Sequence, residues 1–108
     1  APAETQDQQA VRVGRFRSRL DQILEEKFLD KVEANNTAED EGWEVGNVDP
    51  DDAKRSEGDL RRLLDKAVDH VRDNPGSEDQ QAAAFKDDVK AQYRALQGGR
   101  LWPWNWGQ

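Results

Sequence analysis

The sequence predicts an all-α fold: a small three-helix bundle, or an incomplete four-helix bundle, with a long acidic loop and a Trp-rich C-terminal tail. Three observations predict it. Apolar residues recur at helical spacing in three stretches, near residues 10–33, 56–73 and 78–97. Helix-stopping residues follow two of them, at Asn74-Pro75-Gly76 and Gly98-Gly99. The chain has 108 residues with a hydrophobic fraction of 34%, enough for one small core and no more.

In the first stretch the apolar residues are Val13, Phe16, Leu20, Ile23, Leu24, Phe28 and Val32. From Phe16 onward they recur every four residues. A four-residue step overshoots one α-helical turn by about 40°, so the stripe is expected to wind around the helix and meet two partners in turn. Lys27 falls inside the projected stripe, as that winding implies. Like-charge pairs such as Asp21 with Glu25 and Lys27 with Lys31 give this helix no surface support, so packing must hold it. Residues 1–9 are polar and read as a flexible N-terminus.

Residues 35–52 read as a loop, punctuated by Gly42, Gly46, Pro50 and several Asn and Asp residues. The net charge of −7 lies in this part of the chain. Residues 35–59 hold nine acidic and two basic residues, and the remainder balances. Trp43, Val45 and Val48 are the residues suited to pin the loop to the bundle.

The second helix is expected from Ser56-Glu57-Gly58-Asp59, a weak capping box; a start at Pro50 or Asp51, with Gly58 inside, is the alternative. Leu60, Leu63, Leu64, Ala67, Val68 and Val71 form its stripe, and Pro75 stops it. Ser77-Glu78-Asp79-Gln80 is a second capping box. Ala82, Phe85, Val89, Tyr93 and Leu96 follow, and Gly98-Gly99 closes the third helix. The domain thus spans residues 10–97, with residues 98–108 as a Gly-Gly hinge and tail.

The chemistry-bearing residues are few. Cysteine is absent, which removes disulfides, thiolate metal sites and thiol nucleophiles. His70 is the single histidine and has no second His or Cys to complete a metal site. Placing Gly42 at position 6 of a calcium-loop template puts Thr37, Glu39 and Glu41 at ligand positions. It also puts Val48 where the bidentate Glu belongs, so the template fails. No carboxylate pair sits in an apolar setting that would tune it for acid–base work, and there is no phosphate-binding Gly loop or nucleophile elbow. No enzyme activity, cofactor or metal is expected.

Arg12, Arg15 and Arg19 share one side of the first helix and form a candidate contact for a carboxylate or phosphate. An acidic chain without a basic stripe is a poor nucleic-acid ligand. The tail Arg100-Leu101-Trp102-Pro103-Trp104-Asn105-Trp106-Gly107-Gln108 holds three of the four Trp residues. Such a tail can cap the bundle, enter a groove on a partner, or lie in a membrane interface. The expectation is that Trp102 packs inward while Trp104 and Trp106 stay at least partly exposed. Membrane contact is expected only through this tail. The start Ala1-Pro2-Ala3-Glu4-Thr5-Gln6 resembles what signal peptidase leaves behind, so export (secreted, periplasmic or lumenal) is expected. The expected function is a protein–protein interaction module that binds through Trp43, Arg100, Trp102, Trp104 and Trp106. The alternatives are a structural subunit of a larger, membrane-associated assembly and, more weakly, a small-ligand or metal carrier.

Overall fold

The structure, a computed structural model, describes residues 3–40 and 48–97. Among these residues there is no strand, and the expected three helical stretches form an all-α bundle. The first is continuous but not uniform: α1 (Gln6–Leu24), a π-helical turn (Glu25–Leu29) and α2 (Asp30–Asp40). Then come α3 (Pro50–Asp73) and α4 (Glu78–Gln97). α1 runs antiparallel to α3, since Arg12 reaches the carbonyls of Val71 and Arg72 while Arg17 meets Asp65. α4 runs parallel to α1, since Arg19 pairs with Asp79 and Phe28 packs on Tyr93. All three helices pack against one another around a common core.

That core is the predicted set. Phe16, Leu20, Leu24 and Phe28 from the first stretch meet Leu60, Leu64, Ala67, Val68 and Val71 of α3 and Ala82, Phe85 and Val89 of α4. Val13, Ile23, Leu29, Val32, Leu63, Tyr93 and Leu96 pack at its margin. The expected winding of the first stripe is corrected by the π-helical turn. There Asp30 N–H donates to the carbonyl of Glu25, five residues back. One extra residue in a turn rotates everything beyond it back by about 100°. The four steps from Phe16 to Val32 would drift by about 160° on a pure α-helix; the π turn leaves about 60°, within the width of a buried face. The stripe therefore stays on the bundle, and Lys27, inside the π turn, is only partly exposed.

The helix ends differ from the sequence expectation in instructive ways. α1 begins within the segment read as flexible, because Thr5 accepts from Gln8 N–H while the Gln8 side chain accepts from Thr5 N–H. This reciprocal box, Thr-x-x-Gln, was present in the sequence. The loop expected at 35–52 is shortened from both sides. Its first residues continue α2 to Asp40, and Pro50 opens α3 behind Asp49, whose carboxylate accepts from Asp51 and Asp52 N–H. Pro at the first helical position needs no hydrogen-bond partner, and Asp49 supplies the cap. The alternative start at Pro50 is thus the one adopted. Ser56 is no cap; it lies buried in the helix interior. Ser77 also differs: its hydroxyl donates to Asn74 O, and Glu78 accepts from Gly76 N–H instead. Val48 is buried as expected of a pin, while Trp43 and Val45 lie outside the described residues.

Three glycines can be sorted by geometry. Gly14 and Gly58 sit inside helices, and a Cβ on either meets nothing closer than 3.9 Å. Gly76 has φ +94°, a conformation that side chains other than hydrogen resist. Gly14→Ala and Gly58→Ala should each raise stability by about 0.5–1 kcal/mol through lower unfolded-state entropy. Gly76→Ala should lower it by about 1 kcal/mol or more. Urea denaturation of the three single variants checks the sign of each.

Candidate partner-binding surfaces

Arg12, Arg15 and Arg19 do come together. With Gln8, Val11, Phe16 and Glu78 they line an open groove of about 330 Å³ between α1 and the start of α4. Val11, 53% exposed, is the large apolar side chain left in solvent among the described residues. The three guanidiniums are nevertheless unequal. Arg12 Nη1 donates to Val71 O at 2.5 Å and Nη2 to Arg72 O at 3.1 Å, while Nε meets Glu4 at 3.0 Å. Glu78 lies 3.7 Å from Nη1. Arg12 is thus turned inward as a cap on the last carbonyls of α3, where a cation also suits the helix dipole. The expected anion contact at Arg12 thus falls on a guanidinium already engaged by two carbonyls and by the chain's own Glu4 and Glu78. Gln9 Nε2 adds a bond to Arg72 O, and Asn74 Nδ2 closes His70 O, so three successive terminal carbonyls have side-chain donors.

Arg19 pairs with Asp79 at 2.8 Å, but Asp79 is almost fully exposed and the pair is worth little. Arg15 has no ion-pair partner among the described residues. Against three guanidiniums stand Glu4, Glu78 and Asp79, so the groove has no concentrated positive field.

His70 is exposed on α3. It borders a shallow groove of about 280 Å³ with Leu63, Lys66, Ala67, Gln81, Ala84, Phe85 and Asp88. Among the described residues no cluster of three or more His, Cys, Asp or Glu side chains is placed to hold a metal ion. Asp49, at the edge of the acidic segment, is committed to capping α3.

The third surface is the end of the bundle where α2 leaves and α3 enters. Arg19 lies level with Asp79, and Lys31 level with Tyr93, whose hydroxyl is 3.5 Å from Lys31 O and accepts from Gln97 Nε2 at 3.0 Å. The Lys31 ammonium also lies 5.7 Å from the Tyr93 ring centre. Burial raises the Tyr93 pKa above its ordinary value. Continuing this register places Gln97 level with residues 35–36. Asp40, Val48 and Gln97 therefore lie toward the same end. The segments holding Trp43, and Arg100, Trp102, Trp104 and Trp106, both depart from it; those residues themselves lie outside the described ones. At this end the sequence reading missed Asn35. It is buried, 9% exposed, and its Oδ1 has no hydrogen-bond partner among the described residues. Taken as the first residue of a loop, it carried no sign of burial.

No helix among the described residues is long and apolar enough to cross a membrane. Comparison with protein-family models, with curated proteins and with solved structures finds no match to this chain.

The inward role of Arg12 is testable. Arg12→Ala should destabilise the chain by about 1–2 kcal/mol by uncapping α3, whereas Arg15→Ala should change stability by less than about 0.5 kcal/mol. Chemical denaturation of both variants checks the contrast; equal effects would refute it.

Proposed function

We propose that the protein is a non-enzymatic, helical protein–protein interaction module. In this reading the bundle is a rigid stem, and the acidic segment with Trp43 and the tail with Arg100, Trp102, Trp104 and Trp106 form the binding end. The single observation that carries the reading is topological. The up-down-up order of the helices turns the end of α2, the start of α3 and the end of α4 toward one end of the bundle, which favours a binding end there.

The chemistry of the two segments is complementary in purpose. Trp is enriched among residues that dominate interface energies, because one side chain combines large apolar area with an N–H donor. A concentration of carboxylates near it steers approach and restricts partners to surfaces with positive charge. The side grooves are weaker candidates. One has its guanidiniums matched by carboxylates, and both are open.

Affinity capture from the native source tests the reading. The full chain and its Arg15→Ala variant should retain the same partner. A chain ending at residue 99 and a Trp104→Ala/Trp106→Ala double variant should lose it, since two hot-spot truncations cost about 2 kcal/mol each, or about a thousandfold together. Equal capture by the truncated chain would overturn the proposal.

A further inference from the structure

The groove between α1 and the start of α4 has a cation that its own pairing leaves over. Its three guanidiniums are surrounded by three carboxylates, but the pairing is uneven. Arg12 takes both Glu4, at 3.0 Å, and Glu78, at 3.7 Å, besides two carbonyls of α3. Glu78 is held further by Gly76 N–H, which donates to both of its oxygens. Arg19 has Asp79. Arg15 lies four residues after Val11 and four before Arg19, is exposed, and keeps no ion-pair partner among the described residues.

We propose that this groove binds a small hydrocarbon monocarboxylate, a short fatty acid by chemical class, with its carboxylate on Arg15 and its body against Val11 and Phe16. Charge selects a monoanion. One guanidinium is left over, and the groove as a whole is balanced, so a second negative charge would find no free cation. A guanidinium also suits a carboxylate in shape, donating two parallel N–H bonds.

Hydrogen-bonding capacity selects a hydrocarbon body. Arginine side chains donate and do not accept. Gln8 Oε1 already accepts from Thr5 N–H, which leaves its amide N–H groups to donate, and both Glu78 oxygens are engaged. A carboxylate needs only donors, and an alkyl chain needs neither donor nor acceptor. The end of a peptide would bring a backbone N–H that the lining leaves unmatched, at a cost in affinity. Val11, 53% exposed, supplies the apolar contact about 6 Å along the helix axis from Arg15. The volume of about 330 Å³ suits a ligand of this size, at the small end of binding sites.

This site goes beyond the reading given under Proposed function and lies away from the end where α4 stops, so either can fail without the other. Titration of the full ¹⁵N-labelled chain with hexanoate at neutral pH, followed through amide chemical shifts, tests it. The amides of Val11, Arg15 and Arg19 should move saturably, with a Kd on the order of a millimolar. Arg15→Gln, an exposed change that leaves the fold intact, should weaken binding about tenfold or more, the loss of a charge-assisted hydrogen bond. Acetate, which has the charge alone, and 1-hexanol, which has the body alone, should each bind at least about tenfold more weakly than hexanoate. No saturable shift with hexanoate, or equal affinity in Arg15→Gln, would overturn the proposal. So would inorganic phosphate binding as tightly as hexanoate, which makes the groove a general anion contact, or tighter binding of N-acetyl-leucine, which makes it a site for peptide ends.

Discussion

A stripe of apolar residues spaced by four cannot stay on one side of a pure α-helix, because each step overshoots the turn by about 40°. Among the described residues four of the twelve that form the buried core come from such a stripe, running through Phe16, Leu20, Leu24 and Phe28. With so few apolar residues, losing any of them from the core would be serious. The π-helical turn at Glu25–Leu29 removes the drift midway, and the core depends on it. Within that turn Phe28 meets Tyr93 edge-on at 6.4 Å and Leu29 lies against the core, and beyond it Val32 remains there. α1 and the π turn then form the spine against which α4 packs, with α3 against α1.

The spine in turn determines what lies at each end. At one end Arg12, Gln9 and Asn74 close the last carbonyls of α3 and fix its height against α1. At the other, α2 continues to Asp40 past the first turn of α3, and Gln97 ends α4 level with Asn35. The closed end uses its polar groups internally. At the open end the buried Asn35 Oδ1 has no hydrogen-bond partner among the described residues. Of the eight ion pairs among the described residues, four are short-range pairs along α3, such as Arg61 with Glu57 and Arg72 with Asp69.

Much of this was legible in the sequence. The stripes named the core because burial in a helical bundle follows the period of the helix, and the third helix has the expected bounds. What escaped was set by interactions one residue deep. The Thr5–Gln8 box started α1 early because the polar residues around it looked like a frayed end. Asn35 and Asn36 read as loop punctuation from their low helix propensity, yet both lie within α2. Asp49-Pro50 is the stronger N-terminal signal, a carboxylate cap before a residue that needs no hydrogen-bond partner, and the box at Ser56 is the weaker. For the site, the arginine triad was visible as a spacing; its inward member was not, because which guanidinium meets the α3 carbonyls depends on the register between two helices. The π turn had a sequence trace in the persistent four-residue step, which reads equally as winding until the partners are known.

The central claim is that the π turn restores the phase of the seam, and deletions test it directly. Removing Glu25, an exposed residue of the π turn, converts the turn into an ordinary α-helical one without rotating Phe28 and Val32 relative to Leu24. Removing Ser18, an exposed residue of regular helix, rotates every later residue of the spine by about 100°. Thermal unfolding followed by circular dichroism should show the Glu25 deletion melting at or above the parent temperature, and the Ser18 deletion losing cooperative unfolding. A Glu25 deletion as damaging as the Ser18 deletion would contradict the account.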